Sequence, residues 1–145
     1  MSHNLSIDYY EEGLKKLSDN ENHNAITLFI ESYKFSKEKN YECLFCLGIA
    51  YENLREFKNA EKYYIKFIKI NTSGLCGWIN LANLYYQNNY YDQAIETFNL
   101  ALRSCGTDEN LCIGLAEIQI KKGLFNDAYN TYLKIEDKIK NNIDA

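Results

Sequence analysis

The chain has 145 residues, of which 46% are hydrophobic and 25% are charged, and its net charge is −4. This composition excludes a disordered or collagen-like chain, because it supplies enough apolar side chains for a core and contains no proline. The acidic balance argues against a nucleic-acid partner, and the lack of an apolar run of about 18 residues argues against membrane insertion.

One short motif, Ala-x-x-x-aromatic, recurs four times along the chain. Its alanines are 35, 34 and 34 residues apart, and a small residue stands twelve positions before each of them. The four pairs are Gly13 and Ala25, Gly48 and Ala60, Ala82 and Ala94, and Ala116 and Ala128. This spacing predicts tandem repeats of two helices each, at about 6–39, 41–74, 75–108 and 109–142, with Asn40 as an extra residue in the first junction.

The first repeat matches this pattern least well. Glu12 and Lys16 stand in its first helix where the other repeats carry apolar residues. A terminal repeat has one face without a neighbouring repeat, so polar residues are tolerated there. We therefore expect the first helix to act as an N-terminal cap.

The second helix of repeat two carries a stripe of lysines opposite its apolar residues. The stripe consists of Lys58, Lys62, Lys66 and Lys69. A stripe of this kind is typical of a solvated outer face. The alternative is that it contacts an anionic partner.

The third repeat is the fullest copy of the pattern. Its first helix carries Trp78, Leu81, Ala82 and Tyr85 on one helical stripe, and Ala94, Phe98 and Ala101 share a stripe of the second helix. The order W-x2-L-A-x2-Y, followed by A-x3-F, resembles the pattern of the tetratricopeptide repeat (TPR) family. The resemblance extends over nearly the whole chain. It implies an all-α fold, a right-handed solenoid of antiparallel helix-turn-helix hairpins, and a single TPR domain over residues 1–145.

The last helix predicts how the stack of repeats ends. One stripe, expected to face its own partner helix, contains Ala128, Tyr132, Ile135 and Ile139. The next stripe contains Tyr129, Leu133, Glu136 and Lys140, and it turns polar halfway along. We expect a partial cap on which Tyr129 and Leu133 stay exposed and would support weak self-association or dock a further helix.

The sequence offers no constellation for catalysis or for a metal or other cofactor. The only histidines, His3 and His23, cannot be placed beside a cysteine or serine, so we expect no catalytic residues and no enzyme activity. Cys43-x-x-Cys46 lacks the second ligand pair that a structural zinc site requires. Five cysteines, without a visible signal peptide, predict reduced thiols in a cytoplasmic protein.

The resemblance also implies a concave groove lined by the first helix of each repeat. Counted at about 100° per residue, the positions opposite the packing stripe mix apolar, aromatic and amide side chains. We expect the partner-binding groove to contain Ile7, Tyr10, Glu11, Leu14 and Ser18; Glu42, Phe45, Cys46, Ile49 and Asn53; Cys76, Ile79, Asn80, Asn83, Tyr86 and Gln87; and Asn110, Gly114, Glu117 and Lys121. Amides suit an extended peptide because they both donate and accept hydrogen bonds. Three acids against one cation predict a neutral to basic partner.

Related TPR domains narrow the kind of partner further. Those that bind chaperone tails hold a C-terminal carboxylate with lysine, arginine and asparagine side chains. The matching positions here are Tyr10, Leu14, Cys46, Cys76 and Asn80. None of them is a cation, so a carboxylate tail is not expected. Asn80 instead is similar to the groove asparagine in the TPR arm of O-linked N-acetylglucosamine transferases.

The expected function is therefore a non-catalytic protein–protein interaction module. It would hold an extended peptide or a partner helix in the groove. Two alternatives stay open. The chain would otherwise be a TPR targeting or regulatory arm of a larger enzyme, or a homotypic assembly module.

Overall fold

The structure, a computed structural model, describes the backbone of residues 2–143 and the side chains of residues 5–143. The side chain of His3 and both ends of the predicted domain lie outside this range. The described residues form helices joined by short turns and include no strand, which confirms the predicted all-α class. In chain order the helices are α1 (Ser2–Ser18), α2 (Asn22–Phe35), α3 (Glu42–Asn53), α4 (Phe57–Ile70), α5 (Leu75–Gln87), α6 (Tyr91–Cys105), α7 (Glu109–Lys121) and α8 (Phe125–Ile143).

The chain divides into two compact units, Met1–Ile70 and Asn71–Ala145. In the first unit α1 packs on α2, α2 on α3 and α3 on α4, and in the second unit α5 to α8 follow the same order. Within 2–143, none of the helices is long and apolar enough to cross a membrane.

Each unit has a core built on the repeated alanines and aromatics. In the first unit Ala25, Phe29 and Ala60 are buried, and in the second unit Ala94 and Phe98 are buried. The predicted packing stripes of repeat three are confirmed for Trp78, Leu81, Ala82 and Ala101, which are also buried, whereas Tyr85 is half-buried. The indole N–H of Trp78 donates to the backbone carbonyl of Thr72 at 2.8 Å, so the one polar group of this buried side chain has a hydrogen-bond partner.

The turns inside the four hairpins share one backbone geometry. Each has a residue with a left-handed φ at the same place in the repeat: Asn20 (61°), Arg55 (58°), Asn89 (63°) and Gly123 (78°). The amide of that residue donates to the carbonyl three residues back, and the next amide donates five residues back. This pairing satisfies carbonyls at the end of the preceding helix. The 34-residue period is therefore present in the backbone as well as in the side chains.

The first junction between hairpins is longer and has its own anchors. Lys37 and Glu38 both have left-handed φ angles, 52° and 62°, and both side chains are exposed. On one side of them, the hydroxyl of Ser36 donates to the carbonyl of Tyr33 at 2.7 Å. The same hydroxyl oxygen accepts from the amide of Asn40 at 3.1 Å, so the extra residue is held at the far side of the loop.

Helix α1 is attached to α2 by a buried polar pair. The hydroxyl of Ser6 donates to the Ser32 carbonyl at 2.9 Å, and the hydroxyl of Ser32 donates to the Ser6 carbonyl at 2.7 Å. The predicted polar positions of this helix lie toward solvent: Glu12 is exposed, and Lys16 forms an ion pair with Glu21 at 3.0 Å.

Helix α8 packs along a different line from the predicted one. Its buried residues are Ala128 and Thr131, and the Thr131 hydroxyl lies 2.9 Å from Oε1 of the buried Gln119 in α7. The prediction that Tyr132 and Ile139 face the partner helix is wrong, because both are exposed. The side of α8 that carries Thr131 therefore faces α7, and the predicted apolar stripe lies beside this contact. Tyr129 is exposed as predicted, and Leu133 is half-buried.

Candidate functional site

The first unit presents an apolar surface on α1 and α3, the first helices of its two hairpins. We call this surface the α1–α3 face, and it consists of Ile7, Tyr10, Glu11, Leu14, Glu42 and Ile49. Ile7 and Leu14 are seven residues apart on α1, so they lie on the same side of the helix. They are 43% and 39% exposed, which is high for large aliphatic side chains. Tyr10 and Ile49 are half-buried, and Glu11 and Glu42 are exposed.

Tyr10 covers the cysteine that was expected in this groove. Cys46 is only 5% exposed, and its thiol donates to the Tyr10 hydroxyl oxygen across 4.0 Å. Burial raises the pKa of Cys46 to about 11. Burial also raises the pKa of Tyr10, with smaller contributions from Cys46 and Glu42. A ligand on the α1–α3 face would therefore meet the neutral phenol of Tyr10 before the thiol.

Two other predicted groove residues of α3 are held by the scaffold. The ring of Phe45 packs on those of Tyr64 and Phe67, with centroids 5.9 and 5.1 Å away. The amide of Asn53 donates to Oδ1 of Asn22 at 3.0 Å, at the beginning of α2. Phe45 and Asn53 therefore make contacts within the first unit, at one edge of the α1–α3 face.

The second unit presents a more polar surface, which we call the α5–α7 face; its predicted members are Cys76, Ile79, Asn80, Asn83, Tyr86, Gln87 and Glu117. Ile79 and Asn80 are half-buried, and the other five are exposed. The ring of Tyr86 packs on that of Tyr91, with centroids 5.6 Å apart. The exposed side chains here are mainly amides and a carboxylate, so this face is suited to hydrogen bonding.

The difference between the two faces follows the repeat register. Residues 14, 49, 83 and 117 occupy one position of the 34-residue frame. That position holds Leu14 and Ile49 in the first unit, but Asn83 and Glu117 in the second. The α1–α3 face is therefore apolar and the α5–α7 face is polar.

A second register position contributes less to the surface than expected. Residues 46, 80 and 114 share this position. Cys46 is buried in the core cluster that contains Phe29, and a Cβ on Gly114 would stand 2.5 Å from Cζ of Phe98. In both cases the position faces an aromatic ring of the preceding repeat. The structure thus places Gly114 in a helix contact instead of the groove.

The lysine stripe of α4 includes an aromatic residue that the sequence analysis did not single out. The ammonium groups of Lys62 and Lys66 lie 5.5 and 5.6 Å from the centre of the Tyr63 ring. That ring stacks on Tyr51 with an interplanar angle of 5°. The spacing could have indicated the contact with Lys66, because Tyr63 precedes it by three residues on the same helix. Two of the four lysines therefore already have a partner within the first unit.

All five cysteines lie in the described part of the chain, and they form no disulfide bond there. Cys43, Cys46 and Cys112 are buried, Cys105 is half-buried and Cys76 is exposed. Between residues 5 and 143, no three His, Cys, Asp or Glu side chains come together in a way that could hold a metal ion.

Four hairpins with one turn geometry and one period define a helical-repeat protein. Tetratricopeptide repeat family models match residues 41–73 and 76–108, which are the second and third of the predicted repeats. The predicted resemblance to the tetratricopeptide repeat family is confirmed by these matches and by the fold. Tetratricopeptide repeats are protein-interaction modules, and these matches indicate no catalytic family.

Solved structures share this fold at low sequence identity. The crystal structure of MamA is 17% identical, with a TM-score of 0.78 over 97% of this chain and 81% of that one. The Arabidopsis OM64 TPR domain is 16% identical, with a TM-score of 0.71 over 83% and 99%. The Sgt2 TPR domain from Aspergillus fumigatus is 18% identical, with a TM-score of 0.69 over 84% and 82%. No curated protein matches the sequence.

Proposed function

We propose that the chain is a non-catalytic protein-interaction module whose α1–α3 face binds a neutral to basic amphipathic peptide or partner helix. The observation that carries this proposal is the exposure of Ile7 and Leu14 beside the half-buried Tyr10 and Ile49. Apolar side chains that stay in water on a folded domain are typical of a surface that another molecule covers.

The apolar members of the face are sufficient for modest affinity. Full burial of an aliphatic side chain contributes about 1.5–3 kcal/mol, and Ile7 and Leu14 expose less than half of their surface. Together with Tyr10 they would contribute a few kcal/mol. Binding of roughly micromolar strength then requires additional contacts, which polar groups around the face would supply.

Charge favours a basic partner. Glu11 and Glu42 are exposed members of the face, whereas no member of the face is a cation. Acidic side chains around an apolar centre select positively charged ligands and speed their association at low salt. The absence of a cation from the matching clamp positions of this face also argues against recognition of a terminal carboxylate.

The α5–α7 face is proposed as a second contact surface of different chemistry. Asn83, Gln87 and Glu117 are exposed there, and they offer amide donors and acceptors with one carboxylate. Such groups suit the backbone of an extended peptide. Lys121 is exposed at the end of α7 and is the one cation predicted for this strip.

The remaining parts of the interpretation stay predictions. A single domain over 1–145 stays a prediction. So does a reducing, cytoplasmic location, with which the five cysteines are consistent because they form no disulfide bond. An arm of a larger enzyme is the alternative function. It would use the same faces for targeting, so the binding experiment below applies to both.

The test uses fluorescently labelled amphipathic helical peptides of leucine and lysine, with leucine–glutamate peptides as the charge control. Fluorescence anisotropy with the full chain should show tighter binding of the lysine peptide. Leu14→Asp should weaken this binding about tenfold or more, because it removes apolar contact area. Thr27→Asp adds the same charge at an exposed position of α2 and should leave binding unchanged.

Two results would contradict the proposal. Equal weakening by Leu14→Asp and Thr27→Asp would show that the apolar contact at Leu14 does not account for the loss of binding. Stronger binding of the leucine–glutamate peptide would exclude a basic partner and would direct attention to the lysines of α4.

A further inference from the structure

Helix α8 carries a second apolar stripe that no other part of the described chain covers. We call it the α8 seam, and it contains Phe125, Tyr129, Tyr132, Glu136, Ile139 and Ile143. The five apolar members are 66%, 64%, 41%, 51% and 77% exposed, in that order. These are among the most exposed large side chains of the protein, and all of them lie on one helix.

The spacing of the seam is that of a helix-pairing surface. Its members are separated by steps of four, three, four, three and four residues. Alternating steps of three and four are the signature of a helix that packs lengthwise against another helix. Contact with α7 does not explain them, because the buried residues of α8 are Ala128 and Thr131, and Thr131 is hydrogen-bonded to Gln119 of α7.

The end of α8 extends beyond the helix that supports it. The ammonium of Lys138 donates to the carbonyl of Thr107, just before α7 begins at Glu109. Residues 139–143 therefore run past the beginning of α7. At 1.5 Å per residue this extension is about 7 Å long, and it carries the exposed Ile139 and Ile143.

We propose that the α8 seam binds the α8 seam of a second copy of this chain, antiparallel, in a two-fold symmetric dimer. With residue 134 at the symmetry axis, Phe125 lies opposite Ile143 of the second copy and Tyr129 lies opposite Ile139. The central layers pair Tyr132 with Glu136. The one carboxylate in the seam thus faces a phenol hydroxyl that can donate a hydrogen bond to it.

The position of Glu136 favours this orientation over the parallel one. In a parallel pair Glu136 would lie against Glu136 of the second copy, and like charges in a helix seam are destabilising. Within one copy, Lys140 forms an ion pair with Glu136 at 3.0 Å, one helical turn further along α8. The antiparallel arrangement also places the half-buried Leu133 against its own counterpart beside the axis.

The exposed area is suited to a weak dimer. Aromatic side chains bury about 150–250 Å² when fully covered, so the exposed parts of the seam amount to roughly 500 Å² per copy. A specific interface requires about 1,000 Å² in total. Ile120 and Leu124, exposed where α7 leads into α8, would add area where the extended end of the second copy arrives. We expect dissociation at low micromolar concentration and dimers at high concentration.

Sedimentation velocity of the full chain between about 5 and 500 μM tests the proposal. The wild type should shift from monomer to dimer over this range. Ile139→Glu should remain monomeric, because it places a charge in the seam. Asn141→Glu is the matched control: it adds the same charge in the same turn, at an exposed position on the opposite side of α8. Circular dichroism of both variants verifies that the helices are retained.

Cysteine cross-linking tests the orientation. Under mild oxidation Leu133→Cys should give a disulfide-linked dimer, since residue 133 lies within about 3 Å of its counterpart along the helix axis. Tyr129→Cys is about 15 Å from its counterpart in the antiparallel pair and should not cross-link. The wild type, with its five native cysteines, is the baseline.

Three outcomes would overturn the proposal. A wild-type chain that stays monomeric at 500 μM would exclude the dimer. Dimerisation of Ile139→Glu equal to that of Asn141→Glu would place the interface elsewhere. Cross-linking through Tyr129→Cys in preference to Leu133→Cys would exclude the antiparallel register.

Discussion

Gly48 of α3 lies directly against the ring of Tyr64 in α4. A methyl group at position 48 would stand 2.4 Å from Cε1 of that ring, which is well inside van der Waals contact. Tyr64 is fully buried, and its hydroxyl donates to the Glu52 carboxylate at 2.6 Å. The ring therefore has little freedom to move aside, so this repeat leaves no room for a side chain at position 48.

Gly48→Ala should destabilise the protein. Alanine is favoured over glycine in a helix by about 1 kcal/mol, but overpacking a filled core costs about 1–3 kcal/mol, so the loss should exceed the gain. Urea unfolding monitored by circular dichroism measures the difference. Asn83→Ala, at an exposed helical position, is the control and should be neutral or slightly stabilising. An increase in stability for Gly48→Ala would show that the Tyr64 ring can shift.

Arg55→Gly should stabilise the first unit. Arg55 has a φ of 58° in the turn between α3 and α4, where the equivalent residues are Asn20, Asn89 and Gly123. A left-handed conformation costs a residue with a side chain about 1–2 kcal/mol, and glycine avoids that cost but loses more chain entropy on folding. We expect a net gain of about 0.5–1 kcal/mol.

Arg55→Ala separates the backbone effect from loss of the arginine side chain. Alanine retains the strained φ, so this variant should gain nothing in thermal or urea unfolding. Equal stabilisation by Arg55→Ala and Arg55→Gly would attribute the effect to the side chain and would contradict the backbone explanation.

The thiol of Cys46 should make stability fall at alkaline pH. Burial raises its pKa from 9.0 to about 11, so the unfolded chain loses this proton at a lower pH than the folded chain. Stability is then unaffected below about pH 9 and decreases as the pH rises toward 11, with a slope of at most about 1.4 kcal/mol per pH unit.

Cys46→Ala provides the comparison for this pH dependence. The variant should be less stable at neutral pH because it loses buried contacts, yet its stability should fall less steeply between pH 9 and 11. Urea unfolding of both proteins over this range measures the two slopes. Identical slopes would show that Cys46 does not contribute to the alkaline loss.

Replacing Asn80 and Asn83 together by alanine should weaken peptide binding without unfolding the second unit. Each lost hydrogen bond is worth about 0.5–1.5 kcal/mol, so the double variant should bind about tenfold more weakly. Circular dichroism measures the fold, and anisotropy with a labelled extended, non-helical peptide measures binding. Binding equal to that of the wild type would exclude the α5–α7 face as a contact surface for this peptide.

Trp78→Ala, on the same helix, should have the reverse effect: it should lower stability and leave binding intact. Its side chain is buried and its N–H is bonded to Thr72, so truncation should cost about 3–5 kcal/mol of stability. Binding per folded molecule should be retained. A variant that stays fully stable would contradict the core role of Trp78.

Periodicity predicted the helices and most of the core, because one apolar stripe per helix is enough to locate both. The alanines and aromatics of the repeats, such as Ala94 and Phe98, are buried as expected. The turn positions can also be predicted from the sequence, since asparagine and glycine, as at Asn20 and Gly123, accept left-handed backbone angles. Arg55 could not be recognised in this way, because nothing in its chemistry favours such a turn.

The candidate site was harder to predict than the fold. Counting 100° per residue locates a side chain around its own helix, but it does not say how closely the preceding repeat approaches. Cys46 and Gly114 were therefore expected in the groove, although both face an aromatic ring of the repeat before them. For the same reason the hydrogen bond between Thr131 and Gln119, which rotates the contact line of α8, has no signal in the apolar pattern.

The long first junction has a consequence for engineering the protein. The loop between α2 and α3 has six residues, against four and three in the later junctions, and Ser36 and Asn40 hold the chain on either side of Lys37 and Glu38. Its tip contributes exposed side chains and no core contact. An affinity tag or reporter inserted between residues 37 and 38 would therefore enter the chain without moving the helical frame on either side.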